Sequence, residues 1–168
     1  MKLLYYFAVL GTLLALIAGC SSKTENEKSG DADSSEHGHL HTQPNGDLQE
    51  TTSSVDDLPQ FLNDKDDQMK AIYAAAAKNP DVLASMPCYC GCGDSAGHQS
   101  NLNCFVADIS EGQVVWDDHG TRCGVCLEIA AESVLMSQDG KSLKDIRRYI
   151  DEKYKEGYAK PTPTPMPS

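Results

Sequence analysis

The chain opens with a continuous apolar run over residues 3–18, turns polar until about residue 57, and regains periodic apolar positions from 58 to 158. Within that last stretch Met69, Ile72, Tyr73 and Ala76 fall at i, i+3, i+4 and i+7 with alanines between them, which predicts a helix over 64–78. Pro80 ends it and opens a further short turn, with Asn79 as its cap. "CFVADIS" and "QVVWD" are rich in β-branched and aromatic residues and flank Glu111-Gly112, the pattern of a short hairpin. From Gly124 onward Leu127, Ala130, Ala131 and Val134 form a second helical stripe that stops at Asp139-Gly140. Ser142 with Asp145 resembles a capping box, and Leu143, Ile146, Ile150 and Tyr154 make a last amphipathic helix. The pattern predicts a mostly α fold: a small helical domain with a central Cys-rich loop and one short β-hairpin, large enough for one modest core.

The flanks read differently. Residues 20–57 are rich in Ser, Asp, Glu, Gly and Thr, and such a stretch cannot bury enough surface to offset its ordering entropy, so it is expected to be a flexible tether. The tail, residues 159–168, contains "KPTPTPMPS" and is expected to be extended polyproline II and largely disordered.

Lys2, the apolar run and the small residues Ala18-Gly19 read as a secretory signal peptide over 1–19, because a membrane span needs roughly 20 apolar residues. Cys20 directly after them resembles the bacterial lipobox. That resemblance implies cleavage before Cys20, diacylglyceryl attachment to its sulfur with further acylation such as palmitate, and a stable anchor at the extracytoplasmic face of the cell membrane. The sequence carries a net charge of −11; losing Lys2 leaves 13 basic against 25 acidic residues, or −12. So acidic a chain gains no counterion-release affinity, and nucleic acid is discarded as a partner.

Six cysteines follow Cys20, all between 88 and 126. In an extended segment Cys88, Cys90 and Cys92 would point to one side, and Gly91 permits a turn that folds them around an ion. Clustered thiolates favour copper(I), zinc or iron–sulfur clusters. Cys123 and Cys126, at i and i+3 on a helix start beside Arg122, share a face, and depressed thiol pKa values are expected there. His98 and His119 lie in sequence where further ligands would lie, and Cys104 either completes a cluster or packs as a buried thiol. Six Cys and two His would fill two tetrahedral sites. Met86 and Met136 read as core residues rather than copper ligands. In the tether, His37, His39 and His41 alternate and are candidate auxiliary metal ligands beside a plain polar tract. The acidic pairs Asp66-Asp67 and Asp117-Asp118 read as solvated faces.

"MPCYCGCG", the following "GH" and Cys104, and the later "CGVC" resemble the bacterial lipoprotein family named for its PCYCGC motif, largely of unknown function. The resemblance implies lipoprotein status and a domain from about residue 60 to the proline tail, and leaves the chemistry to the residues.

Three functions follow from those residues. The first is a membrane-anchored protein that binds a thiophilic metal, copper(I) first and zinc second, for capture, storage or delivery to an exported metalloprotein. The second is a disulfide-stapled interaction module, since an exported compartment permits disulfides and six cysteines can pair in 15 ways. The third is a thiol–disulfide oxidoreductase resting on Cys123 and Cys126. A thioredoxin-like sheet would need strands after Cys126, where only helix is predicted, and no other catalytic motif is present.

Overall fold

The structure is a computed structural model that describes residues 39–168; the stretch 1–19 expected to be a signal peptide, Cys20 and His37 lie outside the described residues. Four strands, β1 (Leu40–Thr42), β2 (Leu48–Thr52), β3 (Val106–Ser110) and β4 (Gln113–Asp117), form one antiparallel sheet in the order β1-β2-β4-β3. Among the described residues five α-helices accompany it: α1 (Asp67–Lys78), α2 (Pro80–Ala84), α3 (Cys92–Ser95), α4 (Gly124–Gln138) and α5 (Leu143–Tyr154). The fold is therefore mixed α/β, and the expectation of a mostly α domain with a lone hairpin is corrected by the second hairpin that β1 and β2 add to the sheet.

That hairpin lies in the stretch expected to be tether. Its inner face is polar, which is why hydrophobic alternation did not reveal it. Glu50 and Thr52 are the buried positions of β2, standing opposite Trp116 and Val114 of β4. Both are satisfied by bonds rather than by apolar contact. The Glu50 carboxylate accepts the Gln60 amide at 2.8 and 2.9 Å, and Trp116 Nε1 donates to Thr52 Oγ1 at 2.8 Å. A buried polar group costs little once it is paired this way.

The β3–β4 hairpin follows the pattern, turning at Glu111 and Gly112, whose positive φ angles of 52° and 84° match the twist a two-residue loop requires. The helix starting at α1 begins three residues later than its periodicity suggests, because Asp66 caps it by accepting the Met69 amide at 2.7 Å. Asn79 stands at the α1–α2 junction but donates its side chain back to Ala75 O at 2.8 Å instead of capping α2. Ser142 caps α5 as expected, its Oγ accepting the Asp145 amide at 3.1 Å.

Helix α4 sits between two groups of buried side chains. Cys126, Ala130 and Val134 face Tyr73, Phe105, Val114 and Trp116, and Ile129 faces Met86, Tyr89, Ile146, Ile150 and Tyr154. Being covered on two sides, it is apolar over a broader arc than the single stripe expected. Met86 is fully buried in the second group and Met136 packs against it.

The tail is also corrected. It has no regular secondary structure, yet Thr162 and Thr164 are buried. Thr162 N donates to Cys88 O at 3.0 Å while Cys88 N donates to Thr162 Oγ1 at 2.9 Å, and Ala159 N donates to Tyr89 O at 3.0 Å. Arg147 Nη1 holds the Thr164 and Pro165 carbonyls at 3.1 and 3.0 Å. Threonines alternating with prolines supply the amides and hydroxyls that the prolines lack. Among the described residues no helix is long and apolar enough to cross a membrane.

Candidate metal centre

Cys88 and Cys90 precede Gly91, which adopts φ 91° and turns the chain so that Cys92 opens α3. Only glycine takes that conformation without a Cβ penalty, and the turn keeps the donor atoms of Cys88, Cys90 and Cys92 within 4.8 Å of one another. His98 follows α3, its amide donating to Cys92 O at 3.2 Å, and Cys104 ends the 3-10 turn Asn101–Cys104. Asn101, fully buried, ties that turn to α4 through its side-chain bond to Cys126 O at 3.2 Å. His119 lies in the 3-10 turn after β4, Cys123 caps α4 by accepting the Cys126 amide on sulfur at 3.3 Å, and Cys126 lies in the first turn.

These elements bring six thiols and two imidazoles into one cluster. All six cysteines are free thiols. The cluster has two lobes. In the sulfur lobe Cys88 lies 3.3 Å from Cys90 and 3.1 Å from Cys126, while Cys126 lies 3.5 Å from Cys90 and 2.7 Å from Cys123. In the mixed lobe the ligand atoms of Cys92, His98, Cys104 and His119 all lie within 4.8 Å of one another. There Cys92 and Cys104 are 3.8 Å apart, and His98 Nδ1 is 3.4 Å from Cys104 Sγ. A tetrahedral zinc-type ion with metal–sulfur bonds of about 2.3 Å sets sulfur–sulfur edges of about 3.8 Å and sulfur–nitrogen edges of about 3.6 Å. The mixed lobe already has such spacing; the sulfur lobe is tighter. Cys88, Cys104 and Cys126, all buried and mutually within reach, join the two.

The electrostatics run against one expectation. Cys123 and Cys126 were expected to be the acidic thiols. Instead Cys126 is pushed up by Cys104 first, then by Cys123, Cys88, Cys90 and burial. For Cys123 the downward pull of Cys126 is outweighed by Cys88, Cys90 and burial. The thiols pulled down are Cys90, by Cys123 and then Cys126, and Cys92, lowered to about 5 by Cys104 and then Cys126. Neighbouring thiols cannot all ionise together, so the negative charge settles on some and is refused by others. His119 is raised to about 9, by Cys90 before Asp47 and against the pull of burial, whereas burial and then His119 hold His98 down. A cluster with this donor set, largely out of water and concentrating negative charge, suits a thiophilic cation.

Three carboxylates back the site, one that the sequence did not mark and two whose placement it gave differently. Asp47, 3% exposed, meets His119 Nδ1 at 3.1 Å and pairs with Arg122. Asp117 and Asp118, expected on a solvated face, are buried. Asp117 accepts Gln49 Nε2 at 2.9 Å and the His119 amide at 2.9 Å, and Asp118 accepts the Leu48 amide at 2.8 Å and pairs with Arg122. Burial lifts the Asp117 carboxyl above its ordinary value. Asp66 and Asp67 are exposed, as expected. The one sequence signal for Asp47 was Asn45-Gly46 just before it, a strong hairpin-turn dipeptide. His39 and His41 are exposed and stack on each other with ring centroids 6.1 Å apart, and no group of three candidate ligands among the described residues includes them. The order of the sheet, with no strand after Cys126, is not that of a thioredoxin-like fold.

No match was found among curated proteins, and none among solved structures. A family model described as a protein of unknown function with PCYCGC motif matches residues 9–167, nearly the whole chain, and this protein belongs to that family.

Proposed function

We propose that this protein is a membrane-anchored, extracytoplasmic binding protein for thiophilic metal ions, copper(I) first and zinc second, acting in capture, storage or delivery to an exported metalloprotein. The observation that carries this reading is the gathering of six free thiols and two imidazoles into one largely buried cluster from segments as distant as Cys88 and Cys126. Buried thiols with no role are commonly dispersed among apolar side chains; these contact one another. Four sulfurs in the tighter lobe are the donors that copper(I) prefers, and two sulfurs with two imidazoles suit zinc. Thiol–disulfide exchange by Cys123 and Cys126, the closest sulfur pair at 2.7 Å, is the second reading. It is disfavoured because the surrounding thiols and burial push both groups up, away from the thiolate that exchange requires.

The test uses the full chain, reduced and purified without oxygen. Free thiols are counted after denaturation, bound metal is measured by elemental analysis, and copper(I) and zinc are titrated against chromophoric chelators. Seven thiols, or six where the Cys20 sulfur carries lipid, with tight uptake of either ion, and inertness toward model disulfides, are expected. A reduced, folded chain that takes up neither ion would sink the metal reading.

A further inference from the structure

Asp47 follows the Asn45-Gly46 turn of the β1–β2 hairpin, and that turn holds it firmly. Its amide donates to Asn45 Oδ1 at 3.0 Å, Asn45 Nδ2 donates to its Oδ2 at 2.8 Å, and its carbonyl accepts the Gln43 amide at 2.8 Å. A carboxylate this buried costs several kcal/mol unless it is paired. Arg122 alone would supply the counter-charge. Yet the carboxylate also faces both site imidazoles, His119 Nδ1 at 3.1 Å from Oδ2 and His98 Nε2 at 3.9 Å from the same oxygen.

The two rings face it with opposite nitrogens. His98 directs Nδ1 at Cys104 and Nε2 toward Asp47, whereas His119 directs Nδ1 at Asp47, leaving Nε2 for the thiols. The rings stand edge to face with centroids 4.7 Å apart. A neutral imidazole has one N–H and one lone pair, and a carboxylate only accepts. In the neutral form that binds a metal, Asp47 therefore holds the His119 proton on Nδ1 by a hydrogen bond and, together with Asp117, favours the His98 proton on Nε2, leaving each lone pair toward the sulfurs. At 3.9 Å the pull on His98 is electrostatic, being too long for a hydrogen bond.

We propose that Asp47 is the orienting carboxylate of the mixed lobe, setting His98 to bind through Nδ1 and His119 through Nε2 and fitting that lobe to a borderline divalent cation of the zinc type. The proposal rests on the metal-binding reading and adds to it a positioning residue and an ion class for one lobe. Two thiolates neutralise a divalent ion, two neutral imidazoles complete a tetrahedron, and the carboxylate behind them raises ligand basicity.

The full chain is titrated with zinc(II), and long-range proton–nitrogen NMR correlations identify the metal-bound nitrogen of each ring. Nδ1 of His98 and Nε2 of His119 are expected; the reverse pattern for either ring overturns the proposal. Asp47→Asn keeps the shape and removes the charge. It is expected to weaken zinc binding in the mixed lobe about 10- to 100-fold and to scramble the His119 tautomer. With cobalt(II) as the probe, the thiolate bands of the sulfur lobe should be unmoved. Unchanged zinc affinity in Asp47→Asn overturns the proposal and leaves the metal reading standing, as does zinc found only on the four thiols of the sulfur lobe. A wild-type chain that takes up no zinc but binds copper(I) likewise overturns only the proposal, and one that binds neither ion overturns both. Should Asp47→Asn not fold, the wild-type nitrogen assignment decides alone.

Discussion

The two lobes of the cluster are built from the same kind of loop and yet stand on different supports. The sulfur lobe takes Cys123 and Cys126 from the start of α4, and its Cys88 is clasped from outside by the C-terminal tail through the paired bonds to Thr162. The mixed lobe takes His98 and Cys104 from short turns, and its imidazoles are backed by Asp47 in the N-terminal hairpin. One lobe is sulfur closed by a strap; the other is half nitrogen oriented by a carboxylate. The difference teaches that donor type and supporting contact vary together here. Soft sulfurs need only to be gathered and sheltered, whereas an imidazole must also be told which nitrogen to present.

Breaking that comparison begins with the metal itself. Stripping the ions removes a ligand that binds only the folded state, so at a thousandfold excess over Kd the loss is about 4 kcal/mol. Denaturant curves of stripped and loaded chain measure it, and coincident curves would mean that neither lobe binds in the folded state. Next, Cys126→Ser removes the thiol that touches Cys88, Cys90 and Cys123. Copper(I) affinity should fall by more than about 100-fold, since losing a ligand exceeds the cost of an outer-shell change, while zinc in the mixed lobe shifts far less. Equal losses of both ions would erase the distinction between the lobes.

Deleting residues 160–168 removes the strap from the sulfur lobe. Two bonds between Thr162 and Cys88 and two from Arg147 to the Thr164 and Pro165 carbonyls are lost, about 4 kcal/mol at roughly 1 kcal/mol per buried bond. Copper(I) should also leave faster, with zinc release unchanged; stopped-flow chelator exchange reads both rates. Gly91→Ala places a side chain at φ 91° between Cys90 and Cys92, at about 1–2 kcal/mol of backbone strain. Because that turn feeds both lobes, both affinities should fall together, and a selective loss would argue against a shared hinge.

The smallest effect concerns the helix that carries the sulfur lobe. Glu128 on α4 accepts Lys153 Nζ at 2.8 Å and the Tyr154 hydroxyl at 2.7 Å, and these hold its carboxyl below the ordinary value. A depressed carboxyl stabilises the fold above its unfolded pKa, and that stability is lost as pH falls through the lower folded value. Since Glu128 is half exposed, the contribution is a few tenths of a kcal/mol. Urea midpoints of wild type and Glu128→Gln should differ slightly at neutral pH and converge in acid.

Much of this architecture was legible in the order of residues. Helical spacing carried α1, α4 and α5, and the alternation around Glu111-Gly112 carried β3 and β4. These are local signals, since period and turn chemistry act within a few residues. The β1–β2 hairpin was not legible, because Glu50 and Thr52 stand where apolar residues usually mark a buried face and become tolerable only once Gln60 and Trp116 reach them. The docked tail was misread for the same cause: its proline content signals extension, and only Cys88, Gln99 and Arg147 give that extension something to bond.

The sequence by itself determined that six thiols and two imidazoles would crowd into 39 positions, 88 to 126, on short loops and one helix start, and that the chain belongs with the PCYCGC motif proteins. Only the tertiary structure decided how they divide into lobes, which thiols carry the charge and which carboxylate stands behind the imidazoles. The reason is physical. Spacing along a chain fixes which donors share a turn, but Asp47 reaches His119 across 72 residues and Cys88 reaches Cys126 across 38, and such contacts exist only when a sheet and a core bring them together.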